Sequence, residues 1–108
     1  MRILVVSDTH GDLRSLIKAV DAQRKAEIIV HCGDGEEQQR FLKDNYKDKM
    51  IVAVRGNCDW NSFFPSKEIF KACGKTIFVT HGHLYDAKSG LYRITSAARE
   101  AGADILLF

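Results

Sequence analysis

The stretch Ile3-Leu4-Val5-Val6-Ser7-Asp8-Thr9-His10-Gly11-Asp12 decides how the rest of the chain is read. It starts as an apolar run of strand length and ends in a carboxylate and an imidazole two residues apart. It then turns at Gly11 into a helical pattern that begins at Leu13. A strand that delivers Asp and His to its carboxyl end, followed by a tight turn into a helix, is the edge where α/β proteins place their ligands. Three later apolar runs end in the same kind of residue: His31-Cys32-Gly33-Asp34, Arg55-Gly56-Asn57-Cys58-Asp59 and Thr80-His81-Gly82-His83. Four strand ends carrying oxygen or nitrogen donors point to one polyvalent site.

Between these ends the periodicity alternates in kind. Leu13, Leu16, Ile17 and Val20 make one buried helical face, with Asp12 at the N-cap position. Glu27 to His31 reads as a strand whose continuous Ile28-Ile29-Val30 core is covered on both sides. A polar helix is expected from Glu36 to Lys43 with Phe41 and Leu42 inward, and a third strand from Met50 to Val54. This β-α-β-α-β order favours parallel strands joined by right-handed crossovers. After the only proline, Pro65, the runs Glu68–Ala72 and Thr76–Thr80 flank a Cys73-Gly74-Lys75 turn and read as a hairpin. A helix is expected over Leu91–Ala101, with Leu91, Ile94, Ala98 and Ala101 inward and Gly102 as its stop. Asp104 to Phe108 has the composition of one more interior strand.

With 108 residues the expectation is one domain, spanning 1–108. Hydrophobic residues make up 45%, enough for a globular core. The net charge is +2 without a Lys/Arg block, so nucleic acid is not an implied partner. No apolar run approaches the ~20 residues of a membrane span, and the N-terminus lacks a signal-peptide layout. Three cysteines without a C-x-x-C do not make a disulfide framework or a structural zinc site, and a cytoplasmic setting is the simplest reading. The first βα turn lacks G-x-G-x-x-G and no P-loop occurs, which excludes dinucleotide and P-loop chemistry.

Asp, His, Asp, Asn and His form a hard-to-intermediate ligand set, suited to divalent Mn, Fe, Zn, Co or Ni rather than to soft-metal cysteine sites. A carboxylate can bridge two ions, and a neutral Asn oxygen can ligate without adding charge. Two ions held together lower the pKa of a bridging water and clamp a phosphoryl group.

Each motif alone is weak, since G-D and G-N pairs are ordinary turn chemistry. As an ordered set, Asp8-x-His10, Gly33-Asp34, Gly56-Asn57-Cys58-Asp59 and Thr80-His81-Gly82-His83 resembles the calcineurin-like metallophosphoesterase superfamily, in the spelling of its small bacterial and archaeal phosphodiesterase branch. The resemblance covers essentially the whole chain. It implies an α/β/β/α layered sandwich with two divalent metal ions at the strand ends, manganese foremost. It also implies Asp8 and His10 on the first ion, Asp34 bridging both, and Asn57 and His81 on the second, with Asn57 and Asp34 as the catalytic pair. The implied activity is phosphodiester hydrolysis of a small substrate, by a hydroxide held between the ions and attacking phosphorus in line. Two departures stand out. The family pattern continues with Gly-His-x-His after a last apolar strand, and Ile105-Leu106-Leu107-Phe108 matches that strand, so an incomplete domain, truncated at its C-terminus, is expected. Cys58 stands where many relatives carry His, which favours the phosphodiesterase branch over protein phosphatases.

Plainer readings exist for each residue. Asp8 and His10 would be a cap and an exposed imidazole, but Asp12 already fits the cap. Asp34 and Asn57 would be turn residues beside glycine, and His81 a core-edge histidine. His31 and Cys32 read as packed scaffold, Asp59 and Arg55 as structural partners of the turn. His83 lies between a supporting contact, a substrate-phosphate contact and plain loop. Trp60, Phe63 and Phe64 are either core or an exposed patch that makes a homo-oligomer or lines the cleft. Two rival functions remain: a non-catalytic scaffold like the retromer subunit that resembles this family, against which the presence of His10 counts, and a phosphomonoesterase or nucleotidase.

Overall fold

The computed structural model describes residues 1–60 and 62–108. The elements run β1 (Ile3–Val6), α1 (Leu13–Ala22), β2 (Ile28–His31), α2 (Glu36–Asn45), β3 (Met50–Ala53), β4 (Lys67–Ala72), β5 (Lys75–Thr80), a 3-10 turn (His83–Tyr85), α3 (Tyr92–Glu100) and β6 (Ile105–Leu107). They form two three-stranded sheets, ordered β1-β2-β3 and β4-β5-β6. The first sheet is parallel throughout, as the alternation of strand and helix requires. In the second, the β4–β5 hairpin is antiparallel and β6 joins β5 in parallel.

Side-chain alternation along the strands builds the layers. Ile28 and Val30 of β2 and Val52 of β3 face Ile77 and Val79 of β5, closing a core between the two sheets. Ile29 and the half-buried Ile51 point the other way, against Leu16 and Val20 of α1 and Leu42 of α2. Because β2 is covered on both faces, all four of its residues are buried, and the continuous Ile28-Ile29-Val30 run follows from that position. Full burial of a side chain such as Ile29 or Val79 contributes roughly 2 kcal/mol. On the outer side of the second sheet, α3 buries Ile94 and Ala98, and Phe78 packs edge-on against Tyr85. The result is the expected α/β/β/α order.

Asp12 caps α1, its Oδ1 accepting from Ser15 N at 3.1 Å. Two expectations need correction. Leu91 is 53% exposed. It precedes α3 rather than lying within it, so the buried stripe is carried by Ile94 and Ala98 alone. Among the described residues β6 pairs with β5, and Ile105 is 42% and Phe108 49% exposed. The helix α2 continues to Asn45, one half-turn past Lys43. Among the described residues no helix is long and apolar enough to cross a membrane.

Candidate metal centre at the strand ends

Parallel pairing brings the motifs to one edge. Val6, His31 and Ala53 stand in register, so the residues that follow them leave the sheet side by side. The backbone ladder continues past the strands: Cys32 N donates to Val6 O at 2.8 Å, Asp8 N to Gly33 O at 2.8 Å and His10 N to Asp34 O at 3.1 Å. The two motif loops are therefore bonded to each other. The second sheet reaches the same edge through β5, which ends at Thr80 and presents His81.

Asp34 is the centre of the group. It is 4% exposed, with Oδ1 accepting from Cys58 N at 2.8 Å and Oδ2 3.3 Å from His81 Nε2 and 3.9 Å from His10 Nε2. Asp8 Oδ1 lies 3.3 Å from His81 Nε2 and 3.6 Å from His10 Nε2. Asp8, His10 and Asp34 all have positive φ, at 54°, 43° and 60°. Such left-handed backbone costs roughly 1 kcal/mol or more per residue and persists where the surroundings force it. Here the surroundings include Gly56, where any side chain would collide with the Asp34 carboxylate, and Gly33, whose φ of 114° carries the chain from β2 into Asp34.

Asp59, expected to be a turn partner, holds the Asp34 loop. Its Oδ2 accepts from Asp34 N at 2.9 Å and Gly56 N at 2.8 Å, and its Oδ1 from Gly35 N at 3.0 Å and Glu36 N at 3.2 Å. Glu36 opens α2, so this carboxylate also sits at a helix N-terminus, where negative charge is favoured. His31 is fully buried and serves as the scaffold the sequence suggested. Its Nδ1 accepts from Gly33 N at 3.1 Å and faces Gln39 Nε2 at 2.9 Å. With Nδ1 filled, Nε2 carries the proton and donates to Thr9 Oγ1 at 3.0 Å, which donates to Gln38 Oε1 at 3.0 Å. Burial pushes the His31 pKa down to about 4, so the ring is neutral and this chain of bonds is intact at neutral pH.

Two triads have donor atoms within 4.8 Å of one another: Asp8, Asp34 and His81, and His10, Asp34 and Cys58. Asp34 belongs to both. Asn57 is exposed and lies to one side, lining a cavity of about 190 Å³ with His81, His83 and Lys88. His10, Asp34 and Cys58 line a second opening of about 430 Å³, with Trp60 on its wall. The sequence reading left Cys58 without a role, because a thiol beside Asn57 carries no spacing signal of its own. Its entry into the site is a consequence of the turn that Asp59 holds.

The donor set fits a cation. Asp34 is a buried carboxylate, and no lysine or arginine lies within 4 Å of Asp8 or Asp34 among the described residues; only the two imidazoles do. A buried charge left without a counter-charge is costly, and a divalent ion supplies it. Partial burial raises the Asp8 carboxyl, but hydrogen bonds from Ser7 and His81 outweigh it and leave the pKa below the usual value. Asp8 is thus held as the anion that ligation needs. His83, beside His81 at 5.3 Å between ring centroids, has its pKa lowered by burial and then by that neighbour.

Known proteins are similar to this chain in sequence and in fold. The chain is 34% identical to the probable metallophosphoesterase YsnB of Bacillus subtilis, an alignment covering all of this chain and 62% of that one. It is 27% identical to the phosphodiesterase MJ0936 of Methanocaldococcus jannaschii, over 87% of this chain and 69% of the relative. Among solved structures it superposes on a predicted phosphoesterase from Streptococcus pneumoniae with a TM-score of 0.79 and 28% identity, covering 96% of this chain and 58% of the other. The chain thus spans about three-fifths of the length of YsnB. The calcineurin-like phosphoesterase superfamily domain matches residues 1–108, and a parallel sheet ending in Asp8, Asp34 and their histidines agrees with that match: the chain belongs to the calcineurin-like phosphoesterase superfamily.

Proposed function

We propose that the protein is a divalent-metal-dependent phosphodiesterase acting on a small substrate. The observation that carries this is the sharing of one buried carboxylate, Asp34, between two donor groups. In this reading Asp8, His10, Asp34, Asn57 and His81 hold two ions, manganese being the expected metal among Mn, Fe, Zn, Co and Ni. Bound there, such ions supply Lewis-acid polarisation of a phosphoryl oxygen and activation of the attacking water.

The chain's own residues supply the rest. Asp34 is fixed by Cys58 N and by the Asp59-clamped loop, so its two oxygens are aimed before any ligand arrives. The His81 ring presents Nε2 to both carboxylates. Asn57, at the cavity wall, donates its amide to a non-bridging phosphoryl oxygen as charge grows in the transition state. No group on the chain needs to form a covalent intermediate. The phosphodiesterase name of the relative from M. jannaschii supports the diester reading over the monoester one. Three free cysteines suit a reducing compartment, and the cytoplasm is the proposed location.

The test compares hydrolysis of bis-p-nitrophenyl phosphate with that of p-nitrophenyl phosphate by the purified chain, with manganese added and after chelation. Manganese-stimulated turnover of the diester supports the reading. Turnover of the monoester alone would make it a phosphomonoesterase. A cooperatively folded chain that binds manganese yet turns over neither ester would leave the scaffold role.

A further inference from the structure

The geometry points to Cys58 as a metal ligand: with His10 and Asp34 it forms a mixed nitrogen, oxygen and sulfur site that takes a thiophilic cation, zinc or cobalt(II), in preference to manganese. This rests on the reading of the strand ends as a metal centre and adds a donor to it.

The placement of Cys58 is fixed by its own backbone. Cys58 N donates to Asp34 Oδ1 at 2.8 Å, so the thiol is tethered to the carboxylate that the two triads share. The Sγ, an imidazole nitrogen of His10 and an oxygen of Asp34 lie within 4.8 Å of one another. In a tetrahedral zinc site, with bonds of about 2.3 Å to sulfur and about 2.0 Å to nitrogen and oxygen, neighbouring donors stand about 3.5 Å apart. Because 4.8 Å is the upper limit of their separation, closing the triad needs side-chain shifts of at most about 1.3 Å. Cys58 and His10 are exposed and free to make them, while Asp34 is buried and serves as the fixed point. The opening beside these residues, about 430 Å³, leaves room for a fourth ligand.

The other triad, Asp8, Asp34 and His81, offers only nitrogen and oxygen. The two groups thus share Asp34 but differ in softness, and a thiolate selects zinc or cobalt over manganese. On binding, the thiol proton leaves to solvent and the sulfur lone pair goes to the cation, so no oxidant or reductant is required. The remaining cysteines are poor substitutes. Cys32 is buried in the core between the sheets, and Cys73 lies in the hairpin turn between β4 and β5.

Cobalt(II) titration of the full chain tests this by absorbance. The expected result is a near-ultraviolet sulfur-to-cobalt charge-transfer band that disappears in Cys58→Ser and persists in Cys73→Ser. Cys58→Ser should also weaken zinc binding at least about tenfold, the loss that removal of even an outer partner of a ligand brings, and leave manganese binding nearly unchanged. Cobalt bands in the visible without the charge-transfer band, or a charge-transfer band that survives Cys58→Ser, would overturn the role of Cys58 and leave the metal centre standing. No cobalt spectrum at all would overturn both.

Discussion

Asp59 Oδ2 accepts the backbone N–H of Asp34 at 2.9 Å, joining two loops that are 25 residues apart. The same carboxylate takes three more backbone donors, from Gly35, Glu36 and Gly56. One side chain thus fixes the left-handed turn at Asp34, the start of α2 and the close approach of Gly56. Asp59→Ala leaves these donors without their acceptor, and the expected loss is about 2–4 kcal/mol in urea unfolding, since each buried unpaired donor costs about 1–3 kcal/mol and water reaches some of them. Manganese affinity falls with it. A variant with unchanged stability would show that the clamp is dispensable.

Asp34→Asn keeps the size of the side chain and removes the shared charge. The expected outcome is loss of measurable manganese-dependent diester hydrolysis, and a larger fall in bound metal, by elemental analysis, than Asp8→Asn or His10→Gln produces. Near-normal turnover in Asp34→Asn would rule out a bridging role.

Asn57→Ala separates binding from catalysis. Asn57 is neutral and lines a cavity beside His81 rather than beside His10, so its removal should leave the ion near Asp8 and His10 in place. The catalytic rate should fall by about a hundredfold, the usual effect of losing one oriented donor to a developing oxyanion. Equal loss of both ions from this variant would contradict the assignment.

His31 makes stability depend on pH. Its folded pKa is about 4 against 6.5 for the free side chain, so the unfolded chain binds the extra proton between those values. The stabilisation is therefore complete above pH 6.5 and is lost as the pH falls from 6.5 towards 4, by about 1.4 kcal/mol per pH unit within that window. Urea unfolding at pH 7.5 and 5 measures the slope, and His31→Gln should flatten it. Asp8, with its pKa below 3.8, adds its own loss only at lower pH.

Much of this was legible in order along the chain. Leu16 and Val20 are buried at helical spacing, Ile28 to Val30 run continuously because β2 is interior, and Asp12 caps α1. These are local properties, set by periodicity and by the hydrogen-bonding habits of single residues. The exposure of Leu91 was missed because periodicity cannot tell the last residue before a helix from the first within it.

By itself the sequence determined where the strands end, because an apolar run stops where polar residues begin, and it singled out Asp8, His10, Asp34, Asn57 and His81 as candidate donors. Only the tertiary structure decided which of them meet. His81 reaches Asp8 across 73 residues because the second sheet packs on the first, and β6 beside β5 is a pairing with no local signal. It also decided that Cys58 turns towards Asp34 while Asn57 faces the other cavity. The direction of a side chain in a loop is set by φ, by a clamp such as Asp59 and by what a neighbouring glycine leaves open. Those depend on residues far apart in the chain, which spacing along it does not encode.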